Sequence, residues 1–235
     1  MKAAPCAAEE ETLAEAATFQ DARRELGLTA SLEKRALCWL AARMPAAVNS
    51  DHLTALGLLA MVAAGTAYAL SGRHPWLLLA VNALLVVNWF GDSLDGTLAR
   101  FRNRCRPRYG FYVDHVVDTF GALFLLGGLA LSPYMSAWAA AAVLVAYFML
   151  AIHVYLATYS LGVFKIAFGG LGGTELRLVL AAVNALIFVW PSVTVAGVTV
   201  LLLDVAGVLV ALGLMITLVV AVGRATRTLY NLERL

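Results

Sequence analysis

Charge is scarce in this chain: Asp, Glu, Lys and Arg supply 14% of its 235 residues, against 62% hydrophobic ones. A soluble domain is about one quarter charged, so a water-exposed globule is excluded. The apolar excess is gathered in long runs, the pattern of a chain that crosses a membrane repeatedly. Cysteine is nearly absent. Cys6, Cys38 and Cys105 have the spacing of neither a zinc site nor a disulfide framework. All three fall in segments assigned below to the cytoplasm, where reduced thiols are expected. No Cys or His pattern argues for zinc. Residues 1–11 are rich in Ala and Glu and lack an apolar core, so a cleaved signal peptide is not expected. The net charge of +2 is small; its distribution says more, and no nucleic-acid partner is expected.

The hydrophobic runs predict an all-α integral membrane protein with six transmembrane helices preceded by a cytoplasmic interfacial amphipathic helix. The expected spans are Leu53–Ser71, Pro75–Arg100, Gly110–Ser132, Tyr134–Tyr159, Thr174–Trp190 and Val195–Val222. Each is near the roughly 20 residues that cross about 30 Å of hydrocarbon. Basic residues alternate between the connections. Lys34, Arg35 and Arg43 precede the first span, Arg102, Arg104, Arg106 and Arg108 follow the second, Lys165 follows the fourth, and Arg224, Arg227 and Arg234 form the tail; the other side has only Arg73. The positive-inside rule then places both termini in the cytoplasm, and the expected location is a bacterial inner (cytoplasmic) membrane. Leu32, Ala36, Leu40 and Ala41 lie about one turn apart, with the basic residues elsewhere, which predicts an amphipathic helix in the headgroup layer. The expected division is a cytosolic extension over 1–30, the interfacial helix over 31–48, a six-helix catalytic domain over 49–223 and a cytoplasmic tail over 224–235.

Into this apolar background one stretch sets four aspartates. Asp92, Asp95, Gly96 and Ala99 stand at i, i+3, i+4 and i+7, and Asp114 and Asp118 at i, i+4; on a helix each set shares a face. The second and third spans are joined by a short loop and are expected as antiparallel neighbours, which would gather the four carboxylates at the cytoplasmic end. An aspartate deep in a bilayer costs roughly 2.5–3.5 kcal/mol, and four together repel one another. Divalent cations offset both penalties, and carboxylate oxygens suit hard ions such as Mg²⁺, Mn²⁺ or Ca²⁺. Gly96 has no Cβ and lets a ligand approach the helix backbone. Ala99 keeps the same face open, and Arg100 offers a forked donor to phosphate. This combination suits a nucleotide diphosphate bound through metal, and phosphoryl transfer as the chemistry.

These residues resemble the signature of the CDP-alcohol phosphotransferase family, D-x-x-D-G-x-x-A-R, a spacer, then G-x-x-x-D-x-x-x-D. Here it reads Asp92, Asp95, Gly96, Ala99, Arg100, Gly110, Asp114 and Asp118. The spacer Phe101 to Tyr109 is slightly longer than is usual there. Upstream, Ser50-Asp51-His52-Leu53-Thr54 is similar to the family's P-N-x-L-T, with Ser50 and Asp51 in place of Pro and Asn. The resemblance implies two divalent cations, Mg²⁺ or Mn²⁺, held by Asp92, Asp95, Asp114 and Asp118, with Asp118 also the general base. It implies a nucleotide site at Asp51, Thr54, Gly96, Ala99, Arg100 and Gly110. It also implies a homodimer among membrane lipids, and transfer of a substituted phosphate from a CDP-alcohol to an acceptor hydroxyl, with release of CMP. The expected donor is CDP-diacylglycerol.

A phosphorylated polyol as acceptor would need anion-binding groups. Arg108, Lys165 and Arg177 are the candidates among a set that also holds Arg102, Arg104 and Arg106. The dipeptide Asp114-His115 resembles family members that transfer from CDP-choline or CDP-ethanolamine to diacylglycerol, which is the alternative donor class. A cation transporter that uses the aspartates is the alternative outside enzymes. Transport sites lie near the bilayer midplane between repeated halves, whereas this cluster lies at one face and no repeat is evident. His153 is expected as an interfacial or interhelical group, Asp204 in a packing role, and Asn82, Asn88 and Asn184 as bridges between helices. The small residues Gly121, Gly127 and Gly128 are expected where helices pack closely.

Overall fold

The computed structural model describes residues 30–161, 173–195 and 197–234. The expected extension before Ala30, and Lys165, lie outside the described residues. Seven described helices and one hairpin follow in order: α1 (Ala30–Arg43), α2 (Ser50–Leu70), α3 (Leu77–Phe101), α4 (Pro107–Ala130), α5 (Ala137–Leu161), α6 (Gly173–Val189), β1 (Ser192–Val195), β2 (Val198–Leu201) and α7 (Leu202–Leu232).

Five of these helices, α2, α3, α4, α5 and α7, are long and apolar enough to cross a membrane. The expected fifth span is present as α6, but with 17 residues. At about 1.5 Å per residue that is roughly 26 Å, short of the roughly 30 Å hydrocarbon core. The expected sixth span begins too early. Residues 192–201 form an antiparallel hairpin that pairs Val193 with Val200 and Thr194 with Thr199. Valine and threonine are β-branched and favour strands, and Gly197, just before β2, takes a positive φ of 82°. Hydropathy alone cannot separate such a run from a helix. The helix that follows continues to Leu232, so most of the expected tail is helical.

Local signals set several helix ends. His52 Nδ1 accepts the Asn49 backbone N–H at 3.3 Å, one turn into α2. Pro107 occupies the first turn of α4, where its missing N–H costs nothing. Asp204, at the start of α7, accepts the Ser136 N–H at 2.7 Å, and Ser136 Oγ accepts the Ala139 N–H at 3.2 Å. Asp204 thus caps α5 from a neighbouring helix.

The centre of the bundle is α2, which packs against both α3 and α4. Close approach depends on glycines. A Cβ on Gly91 would lie 2.5 Å from the Leu53 carbonyl oxygen, and one on Gly65 or Gly128 would run into the backbone of Phe124 or Gly65. The aspartate-bearing helices α3 and α4 do not form a packed pair of their own. This corrects the expectation of antiparallel neighbours: a short loop limits how far apart two ends lie, but the glycine faces bring α2 between them.

The main core joins Ala64, Tyr68, Leu78, Val81, Leu129 and Met135. Beside it runs a polar ladder. The Tyr68 hydroxyl donates to Asn184 Oδ1 at 2.6 Å, Asn184 Nδ2 to Asn82 Oδ1 at 2.7 Å, and Asn82 Nδ2 to the Ala181 carbonyl at 3.2 Å. It holds α6 against α2 and α3. A smaller core of Leu37, Ala41, Leu53, Leu94 and Leu98 seats α1 on α2 and α3. The inward face of α1 therefore carries Leu37 and Ala41, while Ala36, Lys34, Arg35, Trp39 and Arg43 are exposed. The expected face is rotated, because α1 packs on protein as well as facing the surface.

Substitution separates the packing glycines from the others. Gly128→Ala is expected to lower stability by about 1–3 kcal/mol through overpacking. Gly127→Ala, one residue away and with nothing within 4 Å of the added carbon, should stay within about 0.5 kcal/mol of the parent. Thermal unfolding in detergent reads both; equal losses would show that the crossing is not tight.

Candidate active site

The C-terminal turns of α3 carry Asp92 and Asp95, and the N-terminal turns of α4 carry Asp114 and Asp118. The start of α2 lies against α3 here. Thr54 Oγ1 donates to Asp95 Oδ2 at 2.6 Å, and Ser50 Oγ donates to the Asp95 carbonyl at 2.9 Å. The Gly96 backbone N–H donates to Asp95 Oδ1, so both oxygens of this half-buried carboxylate have protein donors. Asp92 is held from α6. Arg177 Nη2 lies 2.5 Å from Asp92 Oδ2, and Arg177 Nε donates to Asn88 Oδ1 at 2.7 Å. Asn88 in turn donates to the Gly57 carbonyl at 3.0 Å. One guanidinium thus binds two residues of α3 that stand one turn apart.

The two aspartate pairs share an electrostatic neighbourhood. Asp92 and Asp114 both act on the Asp95 carboxylate. Asp118, Asp92 and Asp114 all act on the Tyr147 hydroxyl, and Asp118 and Asp114 act on that of Tyr155. Both tyrosines come from α5. Asp92, Asp95 and Asp114 are half-buried, whereas Asp118 is exposed. Among the described residues, however, no three carboxylate, His or Cys side chains converge on one ion. The pairs sit on two helices that pack on α2 and not on each other, which is why they do not form a single knot. The donor chemistry nonetheless fits hard divalent cations: carboxylate oxygens, one of them desolvated beside two like charges, are the ligands such ions select.

The other expected residues divide by role. Gly96 and Ala99 are half-buried beside the aspartates, and Arg100 is exposed with Nη2 3.2 Å from Thr97 Oγ1. Gly110 is exposed, with open space where a side chain would begin. Asp51 is paired with Arg106, whose guanidinium also lies 4.1 Å from the Tyr109 ring centre. Arg102 donates to the carbonyls of Val48, Met44 and Pro45, so it fastens the α1–α2 connection and is not an open anion site. Arg108 is exposed. Arg177, expected at the acceptor, is engaged with Asp92 and Asn88. His115 Nδ1 lies 2.6 Å from the Phe111 carbonyl, and its ring meets Tyr155 edge-on with centroids 5.1 Å apart. Helix packing accounts for this histidine. Two participants carried no sequence signal. Tyr147 stands within an apolar run, and Glu33 of α1 accepts bonds from α3 and α6.

A family model, CDP-alcohol phosphatidyltransferase, matches residues 48–224. No curated protein matches the chain.

The Thr54–Asp95 bond is testable by an isosteric change. Thr54→Val removes the donor and keeps the shape, and it should lower stability by about 1.5–3 kcal/mol, the range for a hydrogen bond to a charged group. Thr54→Ser should keep most of it. Thermal unfolding in detergent reads the difference, and a valine variant as stable as the serine one would count against the bond.

Proposed function

Because the chain belongs to the CDP-alcohol phosphatidyltransferase family, a family of membrane transferases of lipid synthesis, we propose a specific reaction for it. The substituted phosphate of CDP-diacylglycerol passes to the hydroxyl of a phosphorylated polyol, and CMP is released. The observation that carries the reading is the placement of Asp92 and Asp95 on the last turns of α3 and of Asp114 and Asp118 on the first turns of α4, within the stretch that the family model matches.

Asp92, Asp95, Asp114 and Asp118 would hold two divalent cations, Mg²⁺ or Mn²⁺, which would supply charge neutralisation to the diphosphate and to the departing CMP. Thr54 and the Gly96 N–H fix Asp95, while Arg177 and Asn88 fix Asp92, so the ligands are oriented before substrate arrives. The nucleotide lies along Gly96 and Ala99, with Arg100, Thr54, Asp51 and Gly110 at its edges. Exposed Asp118 takes the proton of the acceptor hydroxyl. The acceptor oxygen bonds to the phosphorus that carries the lipid, the bond from that phosphorus to CMP breaks, and CMP leaves with the electron pair. Arg108 and Lys165 bind the acceptor's phosphate. Arg177 contributes its charge from the Asp92 side. A CDP-choline or CDP-ethanolamine donor with diacylglycerol as acceptor is the alternative reading. The protein works as a homodimer at the cytoplasmic face of the membrane, with both termini on that side.

The test is a matrix of CDP-alcohol donors against acceptors with purified full-length protein, with CMP and lipid product as readouts. CMP release should require CDP-diacylglycerol together with a phosphorylated polyol, cease on chelation and return with Mg²⁺ or Mn²⁺. Release only with diacylglycerol and CDP-choline would reverse donor and acceptor. Cation flux through liposomes without nucleotide would replace the enzyme by a transporter.

A single carboxylate change tests the base. Asp118→Asn should lower turnover by about 10²–10⁴-fold, the usual worth of general-base catalysis, while equilibrium binding of the CDP-alcohol persists. Normal turnover in this variant would remove Asp118 from that role.

A further inference from the structure

We infer that Glu33 is a positioning residue that fastens the first turn of α6, and with it Arg177, to the acidic end of α3. The inference rests on the proposed transferase reaction. It starts from one oxygen with two donors on two helices. Glu33 Oε1 accepts the Trp89 indole N–H of α3 at 2.8 Å and the Thr174 hydroxyl of α6 at 2.7 Å.

Position gives this bridge its effect. Thr174 is the second residue of α6, and Arg177 follows three residues later on the next turn, so Thr174 and Arg177 lie near one face. Trp89 is adjacent to Asn88 and three residues before Asp92. The carboxylate of Glu33 therefore spans the same two helices that Arg177 spans with its bonds to Asn88 and Asp92. One tie closes the junction from α1, and the other is the ion pair itself. Among the described helices, α1 packs on α3 but not extensively on α6. Glu33 also runs against the grain of its helix. Lys34, Arg35 and Arg43 are exposed, while half-buried Glu33 shares the inward side with Leu37 and Ala41. An inward carboxylate is unfavourable unless hydrogen-bonded, and here both bonds go to elements that carry the site.

The bridge needs an acceptor oxygen and not a charge. The amide oxygen of glutamine can take both bonds, and alanine can take neither. Residues that support ligands from behind typically change activity by about 10–100-fold when removed. Glu33→Ala should thus lower the rate of CMP release from CDP-diacylglycerol by on the order of ten-fold, with the donor KM within about two-fold. Glu33→Gln should keep most of the rate, and Thr174→Val should follow the alanine variant. The deciding measurement is a double-mutant cycle. Glu33→Ala should add little to the loss already caused by Arg177→Ala, because both act through one junction. A general loss of folding would instead multiply with it. A second cycle, Glu33→Ala with Thr174→Val read by thermal unfolding in detergent, checks the bridge without any activity and should be non-additive. Multiplying losses in the rate cycle, additive losses in the stability cycle, or a glutamine variant as slow as alanine would each overturn the inference. A wild-type protein that releases no CMP overturns the functional reading instead, and the stability cycle then still decides whether the bridge exists.

Discussion

The arrangement of this site depends on how closely α2 approaches two other helices. Backbone meets backbone at Gly91 against Leu53 and Gly57, and at Gly65 against Gly128 and Phe124. Inside a bilayer there is no hydrophobic gain from pressing one apolar helix on another, so small residues that allow dense van der Waals contact decide which helices pair. By taking both α3 and α4 as partners, α2 prevents them from pairing with each other. The two aspartate pairs therefore stand on helices that each pack on α2 and not on one another. Like charges on α3 and α4 are thereby kept from direct helix-to-helix contact.

A second constraint is electrostatic. Each carboxylate on α3 is given a donor before any ligand is considered: Thr54 and the Gly96 N–H for Asp95, and Arg177 for Asp92. These contacts reduce the cost of holding charge in a poorly solvated place and also limit the rotamers each carboxylate can use. The side-chain donors, Thr54 and Arg177, come from α2 and α6, elements that contain none of these four aspartates. The geometry of the acidic site is thus a property of tertiary packing, while its chemistry is a property of the motif.

That division explains what could be read from the residues alone. The spacing of Asp92, Asp95, Gly96, Ala99, Arg100, Gly110, Asp114 and Asp118 is a local pattern, and it pointed to the family that the family model matches. Helix positions were legible where hydropathy and turn residues agreed, as for α2 to α5. The β1–β2 hairpin was hidden because Val and Thr are as apolar in a span as in a strand, and only their branching distinguishes the two. The order of neighbours was hidden because it depends on which glycine faces meet, which requires several helices at once. Arg177 looked like an anion site because it stands near a helix start. Its partner Asp92 is 85 positions away in the chain, and no local rule links them.

The uneven distribution of packing connects stability to function. The main core gathers the C-terminal half of α2, the N-terminal half of α3, the end of α4 and the start of α5, which is the end away from the aspartates. The buried residues of α4 are Gly121, Gly128 and Leu129, all beyond Asp118. The polar ladder through Tyr68, Asn184 and Asn82 and the cap that Asp204 gives α5 lie outside the acidic turns as well. The acidic turns of α3 are fastened too, by the smaller core of Leu37, Ala41, Leu53, Leu94 and Leu98, in which Leu94 stands between Asp92 and Asp95. Among the described residues, the first turns of α4, which carry Asp114 and Asp118, contribute no side chain to either core. Such sparsely buried turns open at the least cost in free energy, so of the two aspartate pairs the one on α4 has the freer backbone.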